Sequence, residues 1–395
     1  MNAPLFPQWT VLFGFIIGAF FGSFLNMVIY RLPRQGVSFS EPKRSFCPKC
    51  KHSLEWIDLM PILSWLSTGG KCRYCKEPVS ARYLVVEVIT GLVFAGIWWQ
   101  FVAGRPEPDI LKAGFYAMAG CALVAIIFID AELYIIPDEL NAFLLVVAVA
   151  LAALTKPASG AITLVPALEG ALLGWGLIWG IQLLGRLLFG KDAMGDGDIK
   201  MMRGVGALLG PMLLLANVGI AVVLGIVGGI AGILVAARQA KKAGAEGERQ
   251  QPEADIGPTP VWIVLFNGLW YLLCLDALAL VIRPLDKLLK RVLPPEYTSE
   301  EVEDDWEPSA TAIPFGPYLA AGALACMLFG GSIQKAMLNY WDNATGAGPG
   351  KVQSSSFLRG NGNGTFTEGA RWDRFTVGFQ CLEKAALYAD REEQV

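Results

Sequence analysis

Long apolar runs separated by short polar stretches set the plan of this chain. A helix crossing the hydrocarbon core of a bilayer needs about 20 apolar residues. Such runs occupy Trp9–Tyr30, Leu84–Ala103, Ile110–Asp130, Leu140–Leu154 and Thr163–Phe189. Ile199–Ala237 follows, nearly continuous over 39 residues. As one straight helix it would measure roughly 58 Å, twice the core thickness. It is therefore expected to fold back near Gly210-Pro211 or around Asn217. Val261–Ile282 and Ile313–Phe329 complete a set of eight or nine predicted spans. The first run lacks a basic front end and a small-residue cleavage site, so it reads as a retained span. The pattern predicts an all-α, polytopic membrane protein.

Basic residues give this plan a direction, because cytoplasmic loops carry the excess of Lys and Arg. The 53-residue segment Arg31–Tyr83 holds ten Lys or Arg against four Asp or Glu, which makes it cytoplasmic. Counting spans onward puts Asp130–Asp138, Lys191–Lys200 and Arg238–Lys242 on the same side. Gly104–Asp109 and Lys156–Ala161, with one basic residue each, fall outside. The scheme strains beyond residue 242. Arg283, Lys287, Lys290 and Arg291 would lie outside if Val261–Ile282 crosses, so that segment reads alternatively as re-entrant or interfacial. Residues 240–258 and 296–309 read as solvated linkers, and 343–395 as a polar tail.

Composition narrows the chemistry. Hydrophobic residues make up 54% of the chain and charged ones 17%, against about 25% charged in soluble domains. Disordered, collagenous and disulfide-stapled classes are excluded. A net charge of −3 gives no electrostatic reason for a nucleic-acid partner. The single His, His52, removes schemes built on Ser-His-Asp or on several His metal ligands.

Two CxxC pairs, Cys47-Pro-Lys-Cys50 and Cys72-Arg-Tyr-Cys75, lie 21 residues apart in the basic loop. Each pair presents two thiolates from one tight knuckle, and two knuckles make a tetrahedral site suited to zinc. A cytoplasmic setting keeps thiols reduced and favours metal over disulfide. Lys49, Lys51, Lys71 and Arg73 stand nearby to offset the charge of a four-thiolate site. Such a closed site is structural, since it leaves no open position for water. The competing reading is a membrane thiol oxidoreductase that cycles both CxxC pairs. Cys121, Cys274 and Cys326 read as small apolar fillers, and Cys381 fits no pattern.

Carboxylates in apolar runs are costly. Asp130 closes the third span and Asp198 opens the sixth, within Met194-Gly195-Asp196-Gly197-Asp198-Ile199-Lys200. Both fall at cytoplasmic ends, so they can face each other. Two carboxylates sharing a proton form an aspartic-protease dyad, which needs neither His nor metal. Gly195 and Gly197 would let a substrate backbone approach closely. The plainer alternative makes Asp138 an N-cap of the fourth span, Asp196 and Asp198 loop or cap residues, and Asp130 an interfacial residue. Glu87 and Glu169 read as facing a polar cavity or bonding a neighbouring helix.

Together these motifs resemble the type IV prepilin peptidases, membrane aspartic proteases of the GxGD kind. The residues that carry the resemblance are Gly22-Ser23-Phe24-Leu25-Asn26-Met27-Val28-Ile29-Tyr30-Arg31-Leu32-Pro33, both CxxC pairs with Pro61–Leu66 between them, and Ser80–Tyr83 with Glu87. Phe128-Ile129-Asp130 with Ile136-Pro137-Asp138, Gly195–Lys200, and Ile313-Pro314-Phe315-Gly316-Pro317 complete them. The resemblance implies a bacterial inner-membrane enzyme, with its active site near the cytoplasmic face. It would cut the leader of type IV prepilins or pseudopilins after a Gly. It would then N-methylate the new terminus with S-adenosylmethionine. Asp130 and Asp198 would be catalytic, Cys47, Cys50, Cys72 and Cys75 would hold zinc, and Gly195, Gly197, Lys200 and Asp138 would support the site. The S-adenosylmethionine-binding residues are not assigned, and Gly22–Arg31 and the zinc loop are the places to look. Glu132, Asp138, Glu139 and Asp196 would attract a basic leader.

The resulting domain plan is a first span at 1–30, a zinc-binding loop at 31–83, a peptidase core at 84–237, an insertion at 238–310, a last span at 311–331 and a polar tail at 332–395. Departures are Leu84 in place of the family's Pro, the 238–310 insertion and the 343–395 extension. Neither addition is expected to touch a catalytic motif.

Overall fold

The computed structural model describes residues 4–34, 45–47, 49–155, 162–190, 194–243, 260–282 and 314–344. Arg283, Lys287, Lys290, Arg291, the acidic 296–309 stretch, Cys381 and the tail from 345 onward lie outside them. So does the expected linker beyond residue 243. The described residues form ten α-helices: α1 (Val11–Arg31), α2 (Leu63–Ser67), α3 (Arg82–Phe101), α4 (Ile110–Leu133), α5 (Asp138–Leu154), α6 (Leu164–Phe189), α7 (Asp196–Ala243), α8 (Val261–Leu272), α9 (Leu275–Ala279) and α10 (Gly316–Ala344). No strand occurs among them, only two isolated bridges in the cysteine loop. The chain divides into two units, Met1–Leu338 and Asn339–Val395.

Six stretches are long and apolar enough to cross a membrane: Gln8–Arg31, Arg82–Phe101, Ile110–Leu133, Leu164–Phe189, Asp196–Gly232 and Gly316–Trp341. That is fewer than the eight or nine counted from apolar runs. One reason is α5, whose 17 residues reach only about 26 Å. Another is the Val261–Ile282 run, which breaks after 12 helical residues where Cys274 takes a left-handed φ of 55°. The third is α7, which counts as one stretch although its helical conformation is interrupted at Gly210 (φ 73°, ψ 172°) ahead of Pro211. The expected reversal does occur there. Asn217 Nδ2 lies 3.7 Å from Met202 Sδ, although a straight helix would separate residues 15 apart by about 22 Å. Residues 196–209 and 211–243 therefore run as two antiparallel arms.

Large apolar side chains point outward in the way a lipid-covered bundle requires. Leu12, Phe13, Phe20 and Phe24 on α1, and Leu184, Leu187 and Leu188 on α6, are exposed. Such a surface is tolerable where hydrocarbon covers it. Between helices the contact residues are small, since lipid gives no hydrophobic drive to associate and close backbone packing must supply the attraction. Gly14, Gly18 and Gly22, one per turn of α1, sit against Trp98, Phe94 and Thr90 of α3. Thr10 and Trp98 hydrogen-bond at one end of this pair (3.1 Å), and Asn26 donates to the Tyr83 carbonyl at the other (3.1 Å). Gly170 of α6 meets Gly206 of α7 backbone to backbone, where a Cβ on either residue would collide with the other's carbonyl.

Candidate active site and metal centre

Asp130 occupies the last turn of α4, which Tyr134 ends in a left-handed cap by donating its N–H to the Asp130 carbonyl (3.0 Å). Asp198 lies in the first turn of α7, where its N–H returns to the Gly195 carbonyl (3.1 Å). Both side chains are buried. The two carboxylates are near enough for their charges to interact, and the Gly316 N–H at the start of α10 hydrogen-bonds Asp130. A Cβ at Gly316 would collide with Asp130 Oδ2. Ile136 fills the space between, so that Cβ atoms built on Gly197 and Gly316 would each lie 3.0 Å from its side chain. Asp198 Oδ1 is buried with no hydrogen-bond partner. An unmet acceptor beside a second carboxylate is where a water or a substrate group would bind.

The neighbouring carboxylates are already engaged. Asp138 is not the expected N-cap: Pro137 takes that position and Asp138 is the first helical residue of α5. It accepts two bonds from the buried Lys200 Nζ (2.7 and 2.9 Å). Asp196 accepts from Gln182 Nε2 (2.9 Å), Asn267 Nδ2 (3.2 Å) and Tyr271 OH (2.9 Å). Glu132 is ion-paired with Arg82, while Glu139 is exposed. Of the four acids expected to draw in a basic leader, Asp138 and Glu132 thus have cations of their own. Glu169 is exposed on α6. Glu87 is buried, bonding the Ile62 N–H (2.7 Å) and the Ser23 hydroxyl.

The inserted segment departs most from expectation, because it does touch a catalytic motif. Asn267 and Tyr271 of α8 both bond Asp196. Arg203 of α7 forms a bidentate pair with Asp276 of α9 (2.9 and 2.7 Å) and also bonds the Tyr271 carbonyl. Trp179 and Trp175, successive turns of α6, donate to the Val264 and Gly268 carbonyls, both at 3.1 Å. Gln182, Asn267 and Tyr271 are the site neighbours that motif reading left out, whereas Gly316 belongs to the Ile313–Pro317 motif. Asn267 and Asp276 had a signal, being polar residues in an otherwise apolar run.

All four thiols of the cysteine loop converge. The sulfurs of Cys47, Cys50, Cys72 and Cys75 lie within 4.8 Å of one another, and Cys47 and Cys75 are 3.9 Å apart. A tetrahedron with zinc–sulfur bonds of about 2.3 Å has edges of roughly 3.8 Å, so the donor set fits the metal. The two knuckles repeat one geometry. The Cys47 N–H bonds the His52 carbonyl and the Lys51 N–H the Cys47 carbonyl; Cys72, Glu77 and Lys76 do the same. Lys51 and Lys76 each adopt a left-handed φ, 60° and 62°. The Cys75 backbone N–H, acting against burial and helped by the Tyr74 N–H and neighbouring thiols, brings the Cys72 thiol down to about 7. Against the Glu77 N–H, burial and bonds to the neighbouring thiols take Cys75 the other way, up to about 11, so the thiolate is favoured at Cys72 and not at Cys75.

Residues 16–101 match the family model for the bacterial peptidase A24 N-terminal domain, and residues 117–230 match that of the type IV leader peptidase family. A prepilin leader peptidase/N-methyltransferase of Myxococcus xanthus (strain DK1622) is 33% identical over 332 residues, covering 83% of this chain and 91% of the relative. The chain belongs to the type IV leader peptidase family. Proteins of the same description from Klebsiella pneumoniae (33% identical; 53% of this chain, 92% of the relative) and Neisseria gonorrhoeae (30%; 54% and 79%) extend the match. No solved structure gives a significant match. Both aspartates lie inside the leader peptidase match, and all four clustered cysteines lie inside the N-terminal one. As a leader peptidase family member with six apolar helices, the chain is a multi-pass membrane protein. The thiol oxidoreductase alternative gains nothing from these matches.

Proposed function

We propose that this chain is an inner-membrane aspartic endopeptidase that removes the leader of type IV prepilins or pseudopilins after a Gly and N-methylates the new N-terminus. Asp130 and Asp198 form the catalytic pair. One, ionised, takes a proton from the attacking water, while the other, protonated, polarises the scissile carbonyl. The observation that carries this reading is the meeting of two buried carboxylates, one with an unmet oxygen, inside a leader peptidase sequence. Gly195 leaves room for the substrate backbone, Gly197 admits the Ile136 side chain, and the Lys200–Asp138 pair ties the start of α7 to α5. The site opens to the cytoplasm, the side of the basic Arg31–Tyr83 loop. Lipid surrounds the bundle, and the leader stays in the aqueous phase.

Cys47, Cys50, Cys72 and Cys75 would hold zinc, which ties the loop together and has no catalytic position left open. S-adenosylmethionine would supply the methyl group. In the Gly22–Arg31 segment, Asn26 Oδ1 is buried with no partner, an acceptor suited to an amino group of such a donor.

The test is cleavage of a synthetic prepilin by membranes carrying the chain, read by mass spectrometry with and without S-adenosylmethionine. Wild type is expected to release the leader after Gly and to add 14 mass units, about one methyl group. Asp130→Asn and Asp198→Asn should each lower cleavage about 10³-fold, the scale of an acid–base group. Cleavage that survives either substitution would remove that residue from the pair.

A further inference from the structure

We propose that Asn267 and Tyr271, in the inserted 260–282 segment, are positioning residues of the aspartyl site and act through Asp196. This rests on the endopeptidase reading above. The turn that presents Asp198 contains two glycines, and glycine backbone is the freest to wander. Among the described residues it is held at separate points. The Asp198 N–H bonds the Gly195 carbonyl, Gln182 Nε2 reaches the Met194 carbonyl at 3.3 Å and Asn141 Nδ2 the Gly197 carbonyl at 3.4 Å, Ile136 packs on Gly197, and Asp196, between the glycines, is held by its side chain. Among the described residues, two of the three donors to that carboxylate come from α8 and the third, Gln182, from α6.

The segment that supplies those donors is itself tied down independently of Asp196. Trp175 and Trp179 hold its backbone from α6, and the buried Arg203–Asp276 pair fixes its far end to the first arm of α7. Lys200 Nζ, while bonded to Asp138, sits 5.0 Å from the centre of the Tyr271 ring. Thus Tyr271 touches both acidic neighbours of the site, directly at Asp196 and through Lys200 at Asp138. An Asn and a Tyr hydroxyl in an apolar helix are tolerated where they meet a partner, and here the partner is the residue two places before Asp198. Were the segment only a packing element, apolar contacts and the tryptophan bonds would serve, and the charged acceptor would not be needed.

The experiment measures prepilin cleavage by the full chain in lipid vesicles, together with hydrogen exchange of the 194–200 peptide. Tyr271→Phe keeps the ring and loses only the hydroxyl. It should lower kcat about tenfold, the scale of one hydrogen bond to a charged group, with KM changed less than twofold and exchange at 195–198 faster. Asn267→Leu should act in the same direction. Asp196→Asn combined with Tyr271→Phe should be no slower than Asp196→Asn alone. Trp262→Phe, which alters an exposed ring of the same segment, should leave kcat and that exchange unchanged. Multiplying effects in the double variant, or unchanged kcat and exchange in Tyr271→Phe while wild type cleaves, would overturn the proposal. Faster exchange in Tyr271→Phe with a wild type that cuts no prepilin would uphold the brace and reject the endopeptidase reading instead.

Discussion

The cysteine loop and the aspartyl end are assembled on different scales. Each knuckle of the loop closes on itself within a few residues, Cys47 with His52 and Cys72 with Glu77. The bonds that brace the aspartyl end join residues 62, 71, 73 and 75 positions apart: Lys200 with Asp138, Asn267 and Tyr271 with Asp196, Arg203 with Asp276. The first is a local fold whose four thiols suit a metal. The second exists only when α4, α5, α6, α7, α10 and the insertion have met. Local closure makes the loop resistant to changes elsewhere, whereas the aspartyl end is sensitive to any loss of docking.

The largest expected effect falls on the loop. Structural zinc contributes on the order of 10 kcal/mol to a small site, more than any single contact at the aspartyl end. Chelation, or Cys72→Ser, should therefore make residues 45–81 cleavable by protease while the spans stay protected. Zinc content measured by atomic absorption should fall from one per chain to none. Protection of the loop without metal would show that its backbone bonds suffice, and would break the contrast.

Next is the docking of the insertion. Arg203→Met leaves Asp276 buried without its cation, and unpairing such a charge costs about 3–5 kcal/mol. Thermal unfolding in detergent should move down by several degrees with zinc retained, and Arg203→Met with Asp276→Leu should recover most of the loss. A simultaneous loss of zinc from Arg203→Met would mean that the two regions fold as one.

This difference in scale also decides what could be read from the sequence. The clustered cysteines are a four-residue word written twice, and the local chain geometry turns the spacing directly into a convergence of four thiols. The reversal at Gly210-Pro211 was equally legible, because a 39-residue apolar run cannot fit a bilayer unbent. Asp130 and Asp198 stood out as carboxylates at the ends of spans. What remained hidden was pairwise. Nothing adjacent to Asp138 announces that Lys200, and not the backbone, will occupy it. Asn267 and Tyr271 lie in a segment that a hydropathy window counts as a span, and the break at Cys274 is flanked by tertiary bonds to Arg203 and α6 that adjacent residues do not announce. Apolar length likewise does not tell one long helix from a run that breaks after 12 helical residues, as before Cys274.

A smaller effect is expected at the seam between the regions. The Ile62 N–H, on the loop side, meets the buried Glu87 carboxylate of α3 at 2.7 Å. Glu87→Leu leaves that donor unpaired at a cost of about 1–3 kcal/mol. Hydrogen exchange at 60–66 should quicken, and zinc affinity should stay constant if the knuckles are self-sufficient. Glu87→Gln, which keeps an acceptor, should retain most of the protection. Weakened zinc binding in Glu87→Leu would show that the membrane end helps to shape the loop.

The smallest effect isolates one carboxylate within the loop. Burial acts to raise the Asp58 carboxyl, but the Glu55 N–H, Tyr74 and Arg73 bond it and hold it below the usual carboxylate range. A carboxyl depressed in the folded state adds stability above its unfolded value and loses it as pH falls through the folded one. Asp58→Asn should accordingly destabilise the loop slightly at neutral pH, with Arg73 half-exposed and screened by solvent. The gap between variant and wild type should close as pH drops below the ordinary carboxylate range. Because the cysteine ligands are themselves released by acid, both proteins must be compared at each pH by the same protease-protection assay, and the difference between them is the quantity that reports Asp58. A gap that widens on acidification would mean that Asp58 is stabilised by a proton it shares with Tyr74, and not by its charge.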